Sequence, residues 1–370
     1  MSEKKHFQEL QPQTEIKHRI LEDYLLIWAK VLQGNNDKLC YIDGFSGEGV
    51  YGENIPGSPL IAIKLAGRIL GQYKSKLNCV FIEKNHNRAE NLRQRLLERG
   101  AKENQEFWIK NVGFDEYVHQ VVTKTKRPVP LFFFVDPCGW TGFKMKSLGL
   151  VLKKRRTEIL INFMYNSVQR FLGVDGWWED VFGLDAAGVD ELRSLVKAGD
   201  KEREILDAYC RQLKRHTGAK FVFPFQVGMP GAGRTYFYLI HCSNHYLGHK
   251  IMKEVMWSKS DHGFRFSAFD PSHGQLDIFE DSLSPEQVLM EKLLDRFAGR
   301  SVQFEKLLEQ TSESTLCLEK HYRDLLKHLE KENKIDVQRV TSKTKRGLSG
   351  KDVIIFPEGL ASEQLQLSLF

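Results

Sequence analysis

The stretch KLCYIDGFSGEGVYG, residues 38–52, decides how this chain is read. An apolar run ends on Asp43 and breaks into Gly44, Gly47, Gly49 and Gly52. A strand that ends on an acid and several glycines makes a turn whose backbone, at Gly47 and Gly49, can approach a ligand closely. The N-terminus of the next helix lies nearby to receive negative charge. SPLIAIKLAGRILGQY reads as that helix, starting at Ser58 with Pro59 at its first position. LNCVFIEKN reads as a second strand ending on Glu83, where an acid can take both ribose hydroxyls of a nucleoside cofactor. Asp43 and Glu83 stand further apart than the ~20 residues usual in dinucleotide folds. The extra length falls in GENIPGSPLIA, which reads as an inserted loop. The alternative is a structural turn with solvent-facing acids.

The same alternation continues outward. EIKHRILEDYLLIWAKVLQ precedes the first strand and has apolar residues at helical spacing. RAENLRQRLLERG is a helix closed by Gly100. EFWIKNVGF, VPLFFFVDP and TEILINFMYN read as further strands, with FDEYVHQVVTK as a helix among them. Apolar strands alternating with helices imply a parallel sheet covered on both faces. Residues 167–218 read as mainly helical, an inserted cap. KFVFPFQVG and RTYFYLIHCS flank the loop MPGAG and read as an antiparallel hairpin, followed by the helix NHYLGHKIMKEVMW. Five parallel strands finished by an antiparallel hairpin predict a class I methyltransferase-like (Rossmann-like) α/β domain over residues 1–280. Three helices and two strands around a basic tip then predict a winged helix-turn-helix domain over 283–358. Residues 359–370 read as a flexible tail.

Composition sets outer bounds. With 370 residues, the chain is long enough for one core of about 250 residues and a small second domain. No apolar run approaches the ~20 residues needed to span a membrane. The polar N-terminus lacks an apolar signal segment. The six cysteines include no C-x-x-C pair, which argues against a disulfide framework or a zinc site and fits a reducing cytoplasm. The net charge of +6 is too mild to call for nucleic acid by itself. Its grouping in KTKR (124–127), KKRR (153–156) and KTKRG (343–347) raises the case for a phosphate-rich partner over solvated loops. His241, His245 and His249 recur every fourth residue, as a metal face would. They fall on a strand and on the helix after it, so they read as surface histidines, and no metal site is expected. FDPSHG, from Phe269, reads as a linker.

Lys17-His18, DGFSGEGVY, PGSPLIA (56–62) and DPCGW occur in this order. The set resembles the large-subunit ribosomal-RNA adenine-N6 methyltransferases, which carry a Lys-His pair, a D-x-x-A-G-x-G-x-Y turn, P-G-S-P-L-I-A and D-P-P-Y. It is more similar to the bacterial three-Cys-motif partner proteins, whose fourth strand tends to end in D-P-x-G. The resemblance spans residues 15–260. It implies an S-adenosyl-L-methionine site lined by His18, Ser58, Glu83 and Gly113, with Lys17 near cofactor or target and Asp136 holding the target amine. A radical-type three-cysteine-motif protein is the partner that the family name implies. Val112 stands where the family has an aspartate against the adenine ring, and Asn111 or Asp115 can substitute. Gly44-Phe45 replaces a polar-aromatic pair.

An exocyclic adenine amine is a poor nucleophile, because its lone pair is delocalised into the ring. Accepting both N–H bonds favours a more tetrahedral nitrogen, and positioning aligns it with the methyl sulfonium. In LFFFVDPCGWTG (131–142), Asp136 and the Pro137 carbonyl can accept those bonds. Trp140 can stack on a flipped base. Cys138 replaces the family's second proline and opens a second idea, a nucleophilic thiolate as in cytosine-C5 chemistry, although no paired acid motif accompanies it. The bland reading is a non-catalytic turn in a methyltransferase-like scaffold.

At the C-terminal end, Lys320, Arg323 and Lys327 offer phosphate donors on an expected recognition helix, and Lys343, Lys345 and Arg346 form a basic wing tip. Neighbouring acids leave a protein-docking winged helix as the alternative. Gln366-Leu367-Ser368-Leu369-Phe370 resembles the Q-L-x-L-F peptide by which bacterial repair and replication proteins bind the polymerase sliding clamp. Together these readings give an S-adenosyl-L-methionine-dependent methyltransferase acting on nucleic acid, expected to be an adenine amine in DNA (RNA the alternative) near the nucleoid. The alternative is a non-methylating DNA-repair factor, accessory protein or nuclease, built on the same scaffold.

Overall fold

A computed structural model describes residues 12–33, 38–52, 55–73, 75–124, 129–137, 139, 142–168, 176–228, 235–260, 284–340 and 347–358. The chain divides into two compact units, Met1–Phe266 and Ser267–Phe370.

The first unit is built on seven strands: β1 (Lys38–Asp43), β2 (Lys76–Ile82), β3 (Phe107–Lys110), β4 (Leu131–Val135), β5 (Thr157–Phe163), β6 (Phe221–Gly228) and β7 (Thr235–Ser243). Their order is β3-β2-β1-β4-β5-β7-β6. The first five are mutually parallel, and β7 runs antiparallel to both β5 and β6. This is the class I methyltransferase-like sheet expected from the sequence. All seven residues of β5 and the last four of β4 are buried, as strands covered on both faces require.

Neighbouring phenylalanines show which helices cover which face. Phe132 packs on Tyr24 and Trp28 of α1 (Pro12–Leu32), with ring centroids 5.3 and 6.0 Å away. Phe133 meets Phe114 of α4 (Phe114–Lys124) edge-on at 6.5 Å. Successive strand residues point to opposite faces, so α1 and α4 cover opposite sides of β4. The helix α1 also packs on α2 (Ser58–Tyr73) and α10 (Tyr246–Ser258), while α4 packs on α5 (Met145–Leu152). α3 (His86–Glu98) follows β2, its start capped by Asn85, whose side chain accepts from the Arg88 N–H at 3.1 Å.

The segment read as an inserted cap holds α7 (Trp177–Phe182), α8 (Ala186–Ala198) and α9 (Lys201–Thr217), after the short α6 (Tyr165–Val168). Tyr209 of α9 packs its ring 4.4 Å from Phe163 of β5, and α9 also lies on α5 and β6. The expectation of surface histidines is corrected: His241 and His249 are fully buried. His241 Nε2 sits 2.9 Å from Glu158, and the His249 ring stacks on Phe221 at 4.8 Å. Partners far along the chain, not their spacing, decide this.

The second unit contains α11 (Pro285–Phe297), β8 (Ser301–Gln303), α12 (Phe304–Thr311), α13 (Glu319–Lys331), β9 (Asp336–Gln338) and β10 (Val353–Ile355). Ser284 and Gln287 form a reciprocal cap at the start of α11. Sequence reading expected two strands; β8 is a third, and the antiparallel order is β8-β10-β9. It is only three residues long, too short to give a period. Arg339 donates two 2.6 Å bonds to Glu330 and ties β9's end to α13. This is a winged helix-turn-helix. FDPSHG lies outside the described residues.

Candidate functional site

The glycine turn is fixed by three backbone ties. Gly44 N–H donates to Phe134 O at 2.8 Å, which joins the turn to β4. Ser46 donates through both its N–H and its hydroxyl to Ile82 O at 3.0 Å, which joins it to the end of β2. Gly57 N–H donates to Gly49 O at 2.8 Å, across a two-residue ribbon of Val50–Tyr51 with Ile55–Pro56. A Cβ on Gly57 would stand 2.9 Å from the Gly49 oxygen, so only glycine allows this approach. The loop that lengthens the Asp43-to-Glu83 interval therefore folds back onto the turn.

A cavity of about 510 Å³ opens at the carboxyl ends of β1, β4 and β5, with Lys17, Gly47, Gly49, Ser58, Asp136 and Asn162 on its walls. Pro137 and Gly139 also face it. Lys17 Nζ donates to Asp136 Oδ2, and Asn162 Nδ2 donates to Asp136 Oδ1 at 2.5 Å. Lys17 also lies over the Phe237 ring at 5.6 Å. The Asn162 Oδ1 is buried and has no hydrogen-bond partner among the described residues. Asn162 was missed in the sequence; its one signal is a lone amide near the end of the apolar strand TEILINF.

Six expected cofactor residues do not line this cavity. Asp43 is wholly buried and accepts from Phe45 N–H and the Tyr41 hydroxyl, each at 3.2 Å. Burial pushes its carboxyl up to about 6, against the hydrogen bond from Ser58. It braces the turn from inside. His18 is buried, its ring 5.7 Å from Tyr51. Burial, and then the Lys17 charge, bring it down to about 4, so it stays neutral near pH 7. Glu83 Oε1 accepts from Asn85 N–H at 2.7 Å and remains partly exposed at the end of β2. Asn111 donates to the Glu83 and Lys84 carbonyls at 2.8 and 3.1 Å, pinning the ends of β2 and β3 together. Asp115 Oδ1 accepts from Lys144 N–H at 3.0 Å, at the approach to α5. The Gly113 carbonyl accepts from Tyr117 N–H at 3.0 Å in the first turn of α4. Cys138 and Trp140 lie outside the described residues.

On the winged unit, Lys320 and Lys327 are exposed on α13. Arg323 is committed to its own domain: it donates to Glu319 Oε1 and the Leu348 carbonyl, with its guanidinium 4.8 Å from the Phe304 ring centroid. Lys343, Lys345 and Arg346, and the tail residues Gln366, Leu367, Leu369 and Phe370, lie outside the described residues. No helix among the described residues is long and apolar enough to cross a membrane.

Residues 267–342 match the family model of the GMT-like wHTH domain. No curated protein matches the sequence. Several solved structures resemble the chain. A Legionella pneumophila str. Philadelphia 1 protein of the DUF519 family is 14% identical over 71% of this chain and 94% of its own, with a TM-score of 0.42. Human methyltransferase-like protein 13, in complex with SAH, is 12% identical over 66% and 92%, TM-score 0.36. An rRNA methylase from Streptococcus thermophilus is 11% identical over 64% and 98%, TM-score 0.31. These are likenesses and assign no activity to this chain.

Proposed function

We propose that the protein is an S-adenosyl-L-methionine-dependent methyltransferase acting on nucleic acid, with an exocyclic base amine in DNA, adenine N6, as the target. The observation that carries this reading is the placement of Asp136. It follows a central parallel strand and shares one cavity with the glycine turn and Ser58. The crevice beyond the carboxyl ends of the strands is where open α/β sheets bind ligands. Gly47 and Gly49 would approach the cofactor and Ser58 would cap it, and its ribose would have to extend past the cavity to reach Glu83 at the end of β2. Asp136 would accept one amine N–H, and the Pro137 carbonyl the other. Trp140 would stack on the base, and Lys17 would exchange Asp136 for the incoming target. Lys320 and Lys327, with the wing tip, would contact phosphates. The Gln366–Phe370 peptide would engage a bacterial sliding clamp in a replication-linked or repair setting, and a three-cysteine-motif protein is the proposed partner.

Isothermal titration with S-adenosyl-L-methionine tests the cofactor site, and its failure to bind sinks the reading. Transfer of labelled methyl to DNA or RNA, abolished in Asp136→Ala, tests the chemistry. One observation favours a second reading, a non-methylating repair factor: the Asp136 carboxylate is already engaged by Lys17 and Asn162. Cofactor binding without transfer to any nucleic acid would select it.

A further inference from the structure

A second and larger cavity, about 630 Å³, lies at the other end of the sheet. Its rim is the KKRR turn, Lys153–Arg156, all four of whose residues line it. Leu131 N–H donates to Arg156 O at 2.9 Å, which places that turn at the amino end of β4. Asp136 follows the carboxyl end of the same strand, roughly 17 Å away along five residues. The two cavities are therefore separate sites. Arg156 adopts a left-handed backbone, φ 63°, a conformation that a side-chain-bearing residue takes up only at a cost.

The walls differ from the rim. Trp28, Leu152 and Ile251 form an apolar lining, and Val31 and Leu247 stand at its edge, 41% and 48% exposed. Glu158 lies in the lining as well. It is held by the Tyr24 hydroxyl and by His241 Nε2, and it lies against the first turn of α10, where the backbone of Gly248 leaves room for it. A Cβ at residue 248 would come within 2.8 Å of Glu158 Oε2. Burial lowers the Lys154 ammonium's pKa.

An apolar wall, a fixed carboxylate in it and a cationic rim describe a ligand with an apolar body, a hydrogen-bond-donating edge and more than one negative charge. The volume is in the range that ordinary ligand sites use. We propose that this cavity binds a nucleoside polyphosphate, its base against the wall that includes Trp28, Leu247 and Ile251 with a donor toward Glu158, and its phosphates on Lys153–Arg156. The site is independent of the methyl-transfer reading, since none of its residues lines the Asp136 cavity.

The full chain is titrated calorimetrically with ATP, GTP, inorganic triphosphate and adenosine, each with and without S-adenosylhomocysteine. The expected result is binding of at least one nucleotide more tightly than inorganic triphosphate or adenosine, unchanged by S-adenosylhomocysteine. Lys154→Ala/Arg155→Glu then weakens it at least tenfold. Leu247→Ser, a neutral change at an exposed rim position, weakens nucleotide but not triphosphate binding. Equal affinity for triphosphate and nucleotide, competition by S-adenosylhomocysteine, or indifference to the Lys154/Arg155 variant would each overturn the proposal. So would no binding at all.

Discussion

Lys17 Nζ donates to Asp136 Oδ2, an ion pair between residues 119 positions apart, with side chains only 7% and 14% exposed. It fastens α1 to the end of β4 at the mouth of the candidate site. A buried pair gains little over an apolar one, but breaking it strands a charge. Lys17→Met is therefore expected to destabilise the protein by about 3 kcal/mol in urea unfolding, and Lys17→Met/Asp136→Asn by clearly less. Equal losses would show that the pair is not coupled.

Asn162 fixes the other oxygen of Asp136. If Asp136 orients a target amine, Asn162→Ala should lower kcat for methyl transfer by about 10²-fold, through misplacement of the acceptor. KM for the methyl donor should stay within a factor of about two of the wild-type value. Steady-state kinetics separate the two constants; an unchanged kcat removes Asn162 from the site.

The approach of Gly57 to Gly49 predicts a loss of binding distinct from a loss of stability. Gly57→Ala pushes a Cβ onto the Gly49 carbonyl oxygen and should weaken methyl-donor binding at least tenfold by calorimetry. Gly100→Ala, at φ 78° with open space beyond α3, should cost about 1 kcal/mol of stability and leave that affinity intact.

Asp43 and His18 give opposite pH slopes. The carboxyl of Asp43 is raised from 3.8 to about 6, so its contribution to stability is full below 3.8 and is lost as pH rises through 6. The imidazole of His18 is lowered from 6.5 to about 4, so its contribution is full above 6.5 and is lost as pH falls through 4. Unfolding between pH 3.5 and 7 should show wild type losing ground to Asp43→Asn as pH rises, and gaining on His18→Gln. Each change should reach about 3 kcal/mol. Flat differences would contradict the burial of both groups.

On the winged unit, the proposed phosphate contacts can be told apart from the scaffold. Lys320→Glu/Lys327→Glu should weaken DNA binding and reduce the salt slope by about 0.9 for each phosphate no longer neutralised. Arg323→Ala should instead lower the unit's melting temperature, because that guanidinium is bonded to Glu319 and the Leu348 carbonyl. A slope that responds to Arg323 alone would reverse these roles.

Much of the fold is legible in local pattern. Apolar strands, the helix start at Ser58 and the hairpin near MPGAG each depend on residues a few positions apart. The three-residue β8 and the buried His241 and His249 were not legible, since partners far along the chain decide them. The candidate site was half legible. Asp43, Asn111 and Asp115 have the right chemistry for ligands, yet they spend it on Tyr41, on the Glu83 carbonyl and on the Lys144 N–H. Spacing says that a polar group is present, but not which way it turns.

By itself, the sequence determined the alternation of strands and helices, the glycine turn after β1 and the acid at the end of β4. These follow from hydrophobic period and from the backbone freedom of glycine, both local properties. Only the tertiary structure decided that Lys17 and Asn162 meet at Asp136, and that the KKRR turn shares one cavity with Trp28 and Leu247. Those meetings depend on strand order and on the face each side chain takes, and both are set by burying the whole core at once.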